Sequence, residues 1–69
     1  MDEIPELRLL FHRLNNQLGI ILAHAELLES KASDSASRAR AAQVVASTLE
    51  AMGTAKEIRR LAATSIETQ

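Results

Sequence analysis

Sixty-nine residues make one small domain, too short to bury enough apolar surface alone to offset the entropy of ordering it, so oligomerisation is the expected remedy. The absence of cysteine excludes a disulfide framework and thiolate chemistry, and two histidines without a local ligand cluster argue against structural zinc; no metal or other cofactor is expected. Eight basic against nine acidic residues, with a single aromatic, supply neither an electrostatic footprint nor a stacking platform for nucleic acid.

The chain opens MDEIPEL, acidic where a secretory signal would be basic, and its longest apolar run, Leu18 to Ala25 across Gly19, is too short to span a bilayer. A soluble, cytoplasmic protein without a membrane partner is expected. Pro5 suits the first turn of a helix, and Asp2, Glu3 and Glu6 complement the positive end of its dipole, so helix one should begin near residue 4 or 5. Its apolar residues Ile4, Leu7, Phe11, Leu14, Leu18, Ile21, Ala25 and Leu28 recur at alternating steps of three and four, and Lys31 closes it as a C-terminal cation. The helix is expected over about 4–31.

Residues 30–37, SKASDSAS, cluster small polar side chains without apolar periodicity and form the natural reversal, with the turn at about 32–35 and Ser33 or Asp34 as the N-cap of the next helix. Alanine-rich helix two then runs over about 35–66. Ala42, Val45, Leu49 and Met52 share one heptad frame, and Ala55, Ile58, Ala62 and Ile66 continue it after a shortened step near Gly53 that would overwind a supercoil locally. Leu10 and Leu22 flank the first stripe, while Val44, Ala51 and Leu61 lie off the second. One hairpin buries about one stripe from each helix, so this surplus points to an all-α fold in which an antiparallel two-helix hairpin dimerises into a four-helix bundle.

Chemistry concentrates in residues 11–29, FHRLNNQLGIILAHAELLE. His12 falls just beside the apolar stripe, within reach of water, where a neutral ring nitrogen can act as a nucleophile toward phosphorus. Asn16 follows one turn later on the same face, where its amide can bond a phosphoryl oxygen or orient a water, and Arg13 can hold a phosphoryl oxygen through its guanidinium. Asn15, at the edge of the stripe, suits helix pairing or register, and His24, about 18 Å up the axis from His12, suits packing or a flank. With the reversal near Ser33, His12 stands level with Gly53 to Lys56. Lys56 there either adds positive charge for a phosphoryl group or is simply solvated, and Gly53 either opens room for a partner or relieves crowding.

Read from His12, the order His, any, Leu, Asn, Asn, any, Leu, followed by Ala25-Glu26-Leu27-Leu28, resembles the H-box of sensor histidine kinases, in the subtype whose box runs His-Asp-Phe-Asn-Asn-Leu-Leu and ends in Glu-Leu-Leu. The resemblance is to their dimerisation and histidine-phosphotransfer (DHp) domain, the dimeric four-helix bundle of two-component signalling. It implies that His12 is the phosphoacceptor and that Asn16 positions the phosphoryl group or water. It also implies a homodimer whose partners are a response-regulator receiver domain, a separate histidine kinase, or both. Two departures bear on chemistry. The family usually has an acid directly after the histidine to take its proton, whereas Arg13 cannot accept one. No Gly-rich nucleotide loop exists and nothing after Gln69 would build an ATP-binding domain, so autophosphorylation is not expected.

Three readings follow. The chain is a phosphorelay module in which His12 receives and passes a phosphoryl group, a non-catalytic homodimeric scaffold of the same fold that docks a kinase or receiver, or an excised piece of a longer sensor kinase. Against all three stands a plain solvated histidine on a helix surface. Hydrolytic or redox catalysis finds no nucleophile, base and orienter set.

Overall fold

In the computed structural model the backbone is described for residues 5–68 and the side chains for residues 5–63. Two helices, α1 (Pro5–Lys31) and α2 (Ser35–Thr68), pack side by side and account for all of it except a three-residue turn. At 1.5 Å per residue α1 is about 40 Å long and α2 about 50 Å, so the 53 Å long dimension of the molecule is that of one helix, not two end to end. The hairpin is therefore antiparallel, and α2 overhangs the start of α1. Helix α1 begins with Pro5 and Glu6 and ends on Lys31, an arrangement that complements its dipole at both ends.

The turn is built by local hydrogen bonds. The Asp34 carboxylate accepts from the Ser37 N–H at 2.9 Å, while the Asp34 carbonyl accepts from the Arg38 N–H at 3.1 Å. Of the two candidate caps it is thus Asp34 that starts α2. The bond from the Ser37 backbone, joined by the Ser37 side chain, holds the Asp34 carboxyl below its ordinary pKa. Arg38 reaches back across the turn, its guanidinium donating to the Ala32 carbonyl at 2.9 Å and satisfying one acceptor that the end of α1 leaves free. These two bonds join the reversal to both helices.

Burial along the two helices is regular, but its phase differs from the expected one. On α1 the covered line runs Leu7, Phe11, Asn15, Leu18, Leu22, Ala25, Glu29, Ala32, and on α2 it runs Ala41, Val45, Thr48, Met52, Ala55, Ala62. Both are heptad lines, and that on α2 passes Gly53 without a skipped residue, so the expected shortened step is not needed. Leu14, Ile21, Leu28, Leu49 and Ile58, assigned to the stripes from periodicity, are exposed, whereas Leu22 and Thr48 belong to the seam. Ile4, and the side chain of Ile66, lie outside the described residues.

The physical reason is size. Ala25, Ala41 and Ala55 are buried together with Phe11 and Thr48, and small side chains let two helix axes approach closely. The Thr48 hydroxyl donates to the Val44 carbonyl at 2.7 Å, so this buried polar side chain is satisfied within its own helix. Leu14, Ile21, Leu28, Leu49 and Ile58 would hold the axes apart at these positions, and they lie outside, while Leu7, Leu18 and Leu22 are half-buried beside the small residues. Consequently, among the described residues, no large side chain is fully enclosed, and eleven large hydrophobic residues are exposed. The accessible surface is 5409 Å², against about 4,200 Å² for a compact monomer of this mass.

Candidate functional site

His12 follows Phe11, the largest side chain of the seam, and lies about 100° round the helix from it. Burial of Phe11 against α2 thereby sets the rotation of α1 and turns His12 outward, where it is exposed. Its side of the hairpin follows from the clefts between the helices. One cleft is lined by Leu28 together with Ala41 and Val44, another by Leu18 together with Val44 and Ala51. The flank of α1 that carries Leu14, Ile21 and Leu28 thus shares a face with the flank of α2 that carries Val44, Ala51 and Ile58. The opposite flanks share the other face: His12, Asn15, Gly19 and Leu22 from α1, Val45, Met52, Lys56 and the exposed Leu49 from α2.

The hairpin therefore has two unlike faces. The first presents Leu14, Ile21, Leu28, Val44 and Ile58, all exposed, with Leu10 and Leu61 at its edges; exposed His24 borders it on the α1 side. The second carries His12. Asn16 stands one turn beyond His12 and about 40° further round, exposed, with its side chain leaning back toward the N-terminus and hence toward the imidazole. Arg13 is also exposed but lies about 100° from His12 on the side away from α2. Helix α1 thus brings His12 and Asn16 onto adjoining positions and directs Arg13 elsewhere, leaving only the reach of its long side chain to bring the guanidinium near. Asn15 is half-buried in the seam, level with Met52.

Among the described residues no side-chain hydrogen bond or ion pair engages His12, Arg13, Asn16 or Lys56. Glu57 and Arg60 pair with each other on the outer side of α2, and this pairing lowers the Glu57 carboxyl below its ordinary range. Both glycines are open: a Cβ built on Gly19 or Gly53 would meet nothing within 4 Å. Within the hairpin, therefore, no crowding calls for a glycine at position 53. No group of three or more metal-ligating side chains exists among the described residues, and no helix among them is long and apolar enough to cross a membrane.

What periodicity alone overlooked is the sidedness. The signal was present in the spacing of Ala41, Thr48, Ala55 and Ala62, a heptad of small residues, but larger side chains one position away compete with it in any hydropathy reading.

The chain matches no protein-family model, no curated protein and no solved structure. The likeness to a phosphotransfer hairpin accordingly rests on the motif between residues 12 and 28.

Proposed function

We propose that this chain is a histidine phosphotransfer hairpin of two-component signalling, which works as a homodimeric four-helix bundle and carries its phosphoryl group on His12. The observation that carries the reading is the division of the hairpin into an apolar face and an opposite face bearing an exposed, unpaired His12. A second copy laid on the apolar face covers Leu14, Ile21, Leu28, Val44 and Ile58 and leaves both imidazoles outside. The excess surface of roughly 1,200 Å² per chain is ample for such an interface, since stable ones bury about 800 Å² per partner.

The chemistry needs only groups this face has and a phosphorylated donor. The lone pair of the neutral His12 ring nitrogen attacks phosphorus in line with the leaving oxygen of a receiver's aspartyl phosphate. The nitrogen–phosphorus bond forms as the phosphorus–oxygen bond breaks, and the carboxylate departs with the electron pair. The second ring nitrogen keeps its proton through the step, giving a phosphoimidazolium that can release it to water. A phosphohistidine on a separate histidine kinase serves equally as donor, with imidazole as leaving group. Asn16 is suited to bond a phosphoryl oxygen or to orient a water for dephosphorylation.

Arg13 favours a second reading. With no acid beside His12 to take its proton, the same dimer fits a non-catalytic scaffold that docks a kinase or receiver. One experiment separates the two. Under the first reading, incubation with phosphorylated receiver or kinase deposits an acid-labile phosphoryl group on the chain, and His12→Gln abolishes it. Under the second, no label is transferred, and His12→Ala binds the partner as well as the parent chain does.

A further inference from the structure

We propose that Lys56 of α2 holds the phosphoryl group on His12, so that both helices of the hairpin build the phosphoacceptor site. The inference rests on the phosphoacceptor reading of His12 and adds to it the cation that reading lacks.

Position selects Lys56. It shares the His12 face of the hairpin and is exposed, while His12 stands twenty-one residues before Ser33 and Lys56 twenty-three residues after it. The two Cα levels therefore differ by only two residues, about 3 Å along the axis. Side chains lean toward the N-terminus of their own helix, and the helices are antiparallel. The His12 side chain leans toward the open end of the hairpin and that of Lys56 toward the turn, so the offset between them closes. Other nearby cations are aimed less well. Arg13 points to the side away from α2, and Arg8, one turn before His12, leans away from it toward the start of α1.

Charge points the same way. The neighbouring acid Glu57 is paired with Arg60 on the outer side of α2, and Lys56 itself has no partner among the described residues. The acid on the His12 face of α1, Glu26, and the half-buried seam residue Glu29 lie at least fourteen residues further on, more than about 20 Å along the axis. An ammonium on a flexible stem is suited to a phosphoryl group as a mobile point charge, where a charge-assisted bond to oxygen is about twice as strong as a neutral one.

The test uses the full chain and phosphoramidate as a small phosphoryl donor. In that step the donor's phosphorus–nitrogen bond breaks, ammonia leaves with its three hydrogens, and a new bond joins phosphorus to the His12 ring nitrogen. Lys56→Gln is expected to slow labelling of His12 about tenfold, Lys56→Arg to restore most of the rate, and Lys31→Gln, remote from the site, to leave it unchanged. Equal circular dichroism must accompany these rates. Labelling of Lys56→Gln at the parent rate overturns the inference and leaves the phosphoacceptor reading standing. If the parent chain takes no label on His12, the phosphoacceptor reading falls, and titration with inorganic phosphate by amide NMR decides the anion site. Saturable shifts at His12 and Lys56 that vanish in Lys56→Gln uphold it, and their absence in the parent chain overturns it.

Discussion

Phe11 and Ala55 stand twenty-two residues from Ser33 on opposite arms of the hairpin, and both are buried. Leu18 with Thr48, at fifteen residues, and Ala25 with Ala41, at eight, repeat the relationship at intervals of seven. A heptad spaced alike on both arms keeps one line of each helix facing the other along its length. It also fixes everything the other lines do, because rotation of α1 about Phe11 decides which side receives Leu14, Ile21 and Leu28 and which receives His12.

That division makes exposure alone a poor guide to importance. Ile21 is 46% exposed and Leu49 53%, yet they lie on opposite faces. In the proposed dimer, Ile21→Glu should drive dissociation into monomers and lower helix content at micromolar concentration, whereas Leu49→Glu should leave association unchanged. Sedimentation equilibrium reads both. A parent chain that sediments as a folded 7.5 kDa monomer would refute the four-helix bundle.

Gly53 sits inside α2 with open space where a side chain would be. Gly53→Ala should therefore stabilise the hairpin by roughly 0.5–1 kcal/mol, the usual helix-interior difference between the two residues. A melting temperature that rises by several degrees in thermal circular dichroism is the expected outcome. A fall would mean that the glycine has a strained or crowded role the open surroundings of Gly53 do not reveal.

Ala25 faces Ala41 where the helices are held close by small side chains. Ala25→Leu should force the axes apart and cost about 1–3 kcal/mol despite its added hydrophobicity. Thr48→Val, by contrast, replaces a hydroxyl that only back-bonds to Val44 and should be neutral or slightly stabilising. Chemical denaturation of the two variants beside the parent chain compares them directly.

Asp34 gives stability a pH dependence of known sign. Its carboxyl titrates lower in the folded chain than in the unfolded one, chiefly because it accepts the Ser37 N–H. The stabilisation is therefore fully present above the unfolded value of about 3.9 and is lost as pH falls through the lower folded value. Asp34→Ala should lower the melting temperature at neutral pH, and the gap from the parent should close as the buffer is taken below about pH 4. A gap that stays constant through that range would show that the carboxylate bond is not what Asp34 contributes.

The two helices, the turn between them and the outward position of His12 were legible from spacing and punctuation. Pro5, Lys31, the SKASDSAS reversal and the alternation of three and four each act locally, and local physics is what a sequence reports directly. The motif about His12, Asn15 and Asn16 was likewise visible as a pattern of residue types. Less legible was the phase of the seam. Leu14, Leu49 and Ile58 outweigh Ala41 and Thr48 on any hydropathy scale, so periodicity alone favours the bulkier line as the inner one.

By itself the sequence determined that two amphipathic helices exist, where they reverse and which side chains share a line on each. Only the tertiary structure decided which of those lines faces the other helix, because that depends on how closely two cylinders can approach. The alanines and Thr48 permit the nearer contact and take the inside, leaving the leucines and isoleucines of one face uncovered and His12 with Lys56 on the other.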